Sequence, residues 1–358
     1  MLCGDRPQRS SGDAAACHGL RSQRFCQQSR SAKQPAGYHF EYHPPGDNNL
    51  NLQNKFNLKM MTVTEITQYP VRFAKKQLSA ENLYKGGLFL IFLLCGLGLF
   101  IFGTSYYDRF ASNTNGLIKI GMSASLIAAA YFLGQFEKTK PFSGLVYALF
   151  VASAVNVVTW YFALFSREKL FELLGVSLES VPGMAAAKLC EAGLAVATIL
   201  LLVKARGENL ASLYIRRGNL QWALRIGVLA LLNLIASALI IASSIGQGVE
   251  SILSNIPWFI TFAFANAFME ELWFRGLFLG RLQPLFGESG ALWMTSIWFG
   301  SIHILAVYVT GVAALIFGVL AFTLGLAFCL LVQKTRTIWG ATIFHAAADL
   351  HWFIAFGF

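Results

Sequence analysis

Ala267-Phe268-Met269-Glu270-Glu271-Leu272-Trp273-Phe274-Arg275-Gly276 closes an apolar run that begins near residue 251. A run of that length reads as a membrane span, because about 20 apolar residues cross a hydrocarbon core of about 30 Å. Two adjacent glutamates and an arginine follow with no polar cushion. Ionisable groups at mid-membrane cost roughly 2.5–3.5 kcal/mol each on insertion scales, so they call for a functional reason. Downstream, two further apolar stretches each carry an isolated histidine, His303 and His345, and Asp349 follows the second by four residues. The three stretches are expected to converge on one site, with the rest of the chain as its membrane scaffold.

Composition supports that reading. Of 358 residues, 56% are apolar and only 13% charged, whereas soluble domains carry about 25% charged residues. The net charge of +10 is what basic cytoplasmic loops supply in a membrane protein. No basic, aromatic-interleaved module is present, which excludes nucleic acid as a partner. Cys3, Cys17 and Cys26 lie in a polar tail, and Cys95, Cys190 and Cys329 lie singly in apolar runs. That spacing indicates neither a disulfide framework nor a zinc ribbon.

The expected fold is all-α, a polytopic helical membrane protein with about 8–9 transmembrane helices. Residues 1–60 are polar, rich in Arg, Ser, Gln and Asn, and predict a disordered tail. They read as an over-extended start before Met60 or Met61 rather than as an organellar transit peptide. Residues 61–204 supply a basic lead-in (Arg72, Lys75, Lys76, Lys85) and four spans. Residues 205–358 form the domain that carries the ionisable motifs. The spans fall at about 86–106, 116–135, 142–165, 182–203, 223–245, 251–270, 291–309, 311–332 and 338–357, with a tight hairpin at Thr310-Gly311. Lys138, Lys140, Lys204, Arg206, Arg216, Arg217, Arg281, Lys334 and Arg336 fall on one side. The positive-inside rule makes that side cytoplasmic, with the N-terminus in and the C-terminus out. The segment 210–220, with a basic pair and apolar flanks, suits a short interfacial helix or an ordinary basic loop.

Adjacent residues on a helix diverge by about 100°, so only one of the two glutamates faces a given site. Arg275 stands four residues after Glu271, the favourable order for an ion pair on one face. This leaves Glu270 for acid–base work. A plainer reading makes the whole motif a charged helix end emerging into the cytoplasm. His303 lies deep in a span, with Phe299 one turn earlier placed to pack on its ring. His345 and Asp349 share a face; Asp349 either bonds the imidazole or joins it in facing a common centre. His351 points elsewhere. A carboxylate, two histidines and an acid suit activation of water for amide hydrolysis, with Glu270 as general base. His303 and His345 either bind a divalent metal such as zinc or act as metal-free donors to the oxyanion, and spacing does not choose between them. The HExxH helix of common zinc proteases is absent.

Three motifs in order, Glu270-Glu271-x-x-x-Arg275, Phe299-x-x-x-His303 and His345-x-x-x-Asp349, resemble the CPBP (CAAX protease and bacteriocin-processing) intramembrane proteases. That family takes in the type II CAAX prenyl endopeptidases and many bacterial relatives, and the resemblance covers roughly residues 205–355. It implies that Glu270, His303, His345 and Asp349 are catalytic, with Glu271 and Arg275 supporting. It also implies a peptide or membrane-protein substrate met in the lipid bilayer, here a bacterial plasma membrane. Asp349 stands where the prenyl endopeptidases have Asn. Asp is familiar among the bacterial members, so this departure bears on the prenylated substrate more than on proteolysis. Two other classes compete: a proton-coupled transporter relaying through Glu270, His345 and Asp349, and a non-catalytic immunity or scaffold protein. Against the transporter stands the lack of an internal repeat.

Overall fold

The computed structural model describes residues 80–103, 112–305 and 310–356. The expected tail over 1–60, the lead-in residues Arg72, Lys75 and Lys76, and residues 306–309 before Thr310 lie outside the described residues. Among the described residues the secondary structure is helical, with no strand.

Each expected span has its helix. These are α1 Ala80–Gly103, α2 Ser112–Gln135, α3 Lys140–Leu174, α4 Val181–Ala205, α5 Leu220–Ser244, α6 Val249–Glu271, α7 Gly280–Ile304, α8 Val312–Thr335 and α9 Trp339–Phe356. Local chemistry sets several ends. The Ser180 hydroxyl accepts from the Gly183 amide at the start of α4, with Pro182 in the first turn, where a missing N–H costs nothing. Gly175 closes α3 at φ 64°, a left-handed cap that glycine adopts without strain. Most helices are long and apolar enough to cross a bilayer. Leu201, Leu229, Leu232, Ile240 and Val319 point outward, well exposed. An outward apolar surface on helices whose backbone groups are satisfied internally is what a lipid environment demands. The chain is an integral, multi-pass membrane protein. The last helix, which carries His345, Asp349 and His351, is not among those long and apolar enough to cross.

One expectation needs correction. The charged motif does not end a helix. A π-helical segment, Leu272–Leu279, carries α6 straight into α7, and the true break comes at Gly287, with φ 72° and ψ 176°. The helix therefore continues for about four turns beyond Glu270, and the plainer reading of a helix end in water fails. Pro284 lies just after the π segment; it withholds the amide that the Gly280 carbonyl would otherwise receive. Of the two readings of the 210–220 linker, the structure fits the loop better than a helix. A single 3-10 turn, Leu210–Leu213, gives way to Tyr214 in a left-handed conformation. The chain then laces into the loop between α8 and α9. The Asn219 amide donates to the Thr335 carbonyl at 2.7 Å and the Ile338 amide to the Tyr214 carbonyl at 3.2 Å. Arg216 Nε donates to the Arg336 carbonyl at 2.7 Å.

Close packing brings the site helices together. α6 packs between α4 and α9, α5 against α9, and α7 against α8. One apolar core runs from Phe92 on α1 to Ala341 on α9, and the Trp298 indole N–H is bonded to the Leu93 carbonyl at 2.9 Å. At the α5–α9 crossing glycines allow backbone to touch backbone: a Cβ on Gly227 would stand 2.9 Å from the Gly340 carbonyl, and a Cβ on Gly340 would collide with the Ala223 backbone. Small residues at crossings are the usual solution where lipid supplies no hydrophobic drive. Gly340→Val is expected to destabilise the fold by about 1–3 kcal/mol or more through overpacking. The comparison Gly98→Ala, with open space at its Cβ, should melt like the parent in a detergent thermal-unfolding assay.

Candidate active site

The site is built on a buried pair. Arg275 and Glu271 are fully buried, and Arg275 Nη1 donates to Glu271 Oε1 at 2.8 Å. Arg275 Nη2 donates to the Gly325 carbonyl at 3.1 Å. The guanidinium faces the Phe299 ring at 4.4 Å and the Phe328 ring at 5.1 Å, contacts that favour a desolvated cation. Gly325 permits this approach, since a Cβ there would press within 3.2 Å of Arg275 Nη2.

Glu271 holds more than the arginine. Its Oε1 also accepts from His345 Nδ1 at 3.0 Å, across from α6 to α9. Of the two uses of the His345–Asp349 spacing, the direct bond is not made: Asp349 Oδ1 is 3.9 Å from His345 Nε2, too long for a hydrogen bond. The carboxylate that orients the ring is Glu271, and Asp349 faces the shared centre. Asp349 Oδ2 instead accepts from Asn266 Nδ2 at 3.1 Å. His303 is oriented by its own helix, donating Nδ1–H to the Phe299 carbonyl at 2.7 Å. The Phe299 ring packs 4.4 Å from the His303 ring and 5.5 Å from His345. Phe328 stacks on His345 at 5.1 Å.

The two Nε2 atoms then point at Glu270. Its Oε2 lies 3.9 Å from His303 Nε2 and 3.7 Å from His345 Nε2. That oxygen is buried and has no hydrogen-bond partner among the described residues. Because both Nδ1 atoms donate, each neutral ring offers a lone pair at Nε2 and each protonated ring an N–H. Two oriented rings with inward Nε2 atoms have the chemistry of metal ligands. Their spacing does not complete such a site: among the described residues no three His, Cys, Asp or Glu side chains are placed to hold an ion.

Glu270, His303, His345 and Asp349 all line one cavity of about 360 Å³. Three residues of its wall were missed in the sequence. Asn266 lies one turn before Glu270, a polar amide within an apolar run, and that was its signal. His351, expected to point away, lines the same cavity and donates Nδ1–H to the Leu234 carbonyl at 2.9 Å. Lys188, on α4, also lines it; a lysine inside the fourth span was visible but unread.

Arg281 is ion-paired with Glu208, which also meets Arg206 at 3.5 Å. Glu270 precedes Arg281 by about eleven residues, most of them in the π segment.

Residues 252–351 match the family model described as Type II CAAX prenyl endopeptidase Rce1-like. This segment belongs to the CPBP/CAAX protease family. The matched family is one of membrane endopeptidases, which implies peptidase activity on a peptide substrate in a membrane setting. No curated protein and no solved structure matches the chain. The match to the CAAX protease family spans all three motifs and leaves α4, with Lys188, outside.

Removing one partner of a buried ion pair leaves an uncompensated charge and costs about 3–5 kcal/mol. Arg275→Met should therefore lower unfolding stability by about that amount, read from denaturant titration in detergent, while Glu81→Gln, in an exposed pair, should change it by less than about 1 kcal/mol.

Proposed function

We propose that the chain is an intramembrane endopeptidase in which Glu270 activates the water that cleaves a peptide bond. The observation that supports this reading most is the convergence of His303 Nε2 and His345 Nε2 on the otherwise unbonded Glu270 Oε2. Glu270 takes a proton from water as the oxygen bonds to the scissile carbonyl carbon. The carbonyl π pair moves onto oxygen. The protonated His345 donates its Nε2–H to that oxyanion, the role of a preorganised donor in acyl transfer, while His303, with Nδ1–H bonded to the Phe299 carbonyl, offers its Nε2 lone pair to the attacking water. When the C–N bond breaks, the proton held by Glu270 passes to the leaving amine. Glu271, fixed by Arg275, keeps the His345 ring aimed; Asp349, held by Asn266, sets the field opposite Glu270. On this reading the basic end of the bundle faces the cytoplasm of a bacterial plasma membrane, and substrate enters from that side.

General-base catalysis contributes about 10²–10⁴-fold. Glu270→Gln should lower turnover by about that factor in proteoliposomes, with an unchanged melting curve. Wild-type turnover in that variant would overturn the assignment. The proposed steps use no metal, so activity should survive exhaustive chelation. Stoichiometric zinc lost together with activity in His303→Ala would replace the donor role of the histidines with metal ligation.

A further inference from the structure

A groove of about 440 Å³ lies outside the catalytic cavity, between α5, α8 and α9. Its polar residues sit at helix ends: Asn219 caps α5, and Lys334 and Thr335 close α8. Farther in, its walls are apolar, with Trp222, Ile226, Leu330 and Phe344. From Asn219 to Ile226 is about seven residues, or about 10 Å of helix. The groove is thus polar at one end and apolar for two turns beyond it. A second hollow, of about 240 Å³, holds Arg217 and shares Asn219 with the groove. Here the linker is pressed onto the end of α8. A Cβ on Gly218 would collide with the Thr335 carbonyl, and the Asn219 amide donates to that same carbonyl at 2.7 Å. Lys334 and Arg217 are exposed, and among the described residues neither is paired with a carboxylate. No Asp or Glu lines either hollow; Glu288 is engaged with Arg336 at 3.5 Å. Arg225 adds a third cation, 5.8 Å from the Trp222 ring.

We propose that this groove seats an anionic phospholipid, with an acyl chain against α5 and α8 and its phosphate at Lys334 and Arg217. Both helices are long and apolar enough to span a bilayer, so cations at their ends stand where headgroups lie. Basic pockets between membrane helices bind anionic headgroups, and a phosphate accepts charge-assisted hydrogen bonds from Arg and Lys. The volume falls within the range of pockets that enclose organic ligands, about 300–1,000 Å³. A second copy of the chain would cover the same apolar wall but bring no charge for the two cations. The seat also borders the catalytic apparatus. Phe344 forms part of its wall and meets Phe328 edge to face at 5.2 Å; Phe328 stacks on His345 at 5.1 Å. A chain packed on Phe344 therefore braces the ring that holds His345.

The test uses the full chain in detergent, titrated with phosphatidylglycerol or phosphatidylcholine of the same acyl chains, with bound lipid counted by native mass spectrometry. A single phosphatidylglycerol is expected to bind about tenfold or more tighter than phosphatidylcholine. Arg217→Gln and Lys334→Gln should each weaken it about fivefold, the factor a basic residue contributes near an anionic headgroup. Their melting in phosphatidylcholine should match the parent. Ile226→Trp fills the groove and keeps both cations, and it should expel the lipid too. Equal binding of the two lipids by the parent overturns the proposal, as does phosphatidylglycerol held undiminished by both charge variants. Undiminished binding by Ile226→Trp overturns the acyl-chain seat. Disulfide crosslinking between copies through Ile226→Cys in phosphatidylglycerol vesicles, absent from the parent, gives the face to a second copy and overturns it as well. None of these readouts requires hydrolysis, so failure of the peptidase reading and failure of the lipid site are seen separately.

Discussion

A single carboxylate oxygen, Glu271 Oε1, accepts from both Arg275 and His345, and the rest of the site depends on that junction. In hydrocarbon an unpaired charge is costly, and an ion pair alone barely repays its own desolvation. The junction adds the Gly325 carbonyl and two aromatic faces to the arginine, and an imidazole N–H to the glutamate. It joins α6, the π segment, α8 and α9 at one point. Because Glu271 is committed there, its neighbour Glu270 is turned about 100° away, into the cavity and toward both Nε2 atoms.

The helix does not stop after the glutamates but runs on through a π-helical stretch to Gly287, so the charged motif stands within a helix and apart from the Arg281–Glu208 pair. π-Helical turns are commonly found at functional sites, and this one places Leu272 to Leu279 entirely within protein. On the proposed reading, water at Glu270 is held by protein, with the oriented imidazoles and Asp349 as its polar surface.

Contacts within one helix were legible from spacing. Glu271 with Arg275 at four residues and Phe299 with His303 at four residues both took the geometry their intervals require. Among the described residues the apolar runs likewise became helices, since a backbone in lipid has no other way to be satisfied within one segment. Contacts between helices were less legible. His345 and Asp349 have the interval for a pair, yet the ring is held by Glu271 from another helix, because no periodicity encodes the rotation of α9 against α6. The continuation past Glu271 was hidden for a related reason: charges after an apolar run look like an exit to water unless their partners are known. Lys188 and Asn266 were visible as polar residues in apolar runs, and only the packing of α4 and α6 around the cavity gives them a common setting.

The central claim is that water is activated at Glu270 inside the membrane. Its most direct test is cleavage by reconstituted protein in ¹⁸O-labelled water, with mass analysis of the new carboxyl end. The account predicts one ¹⁸O atom in each newly formed carboxyl group, at a rate that collapses when Glu270 alone is made glutamine. Labelled product formed as fast without the Glu270 carboxylate, or no product from any peptide that binds the cavity, would contradict it.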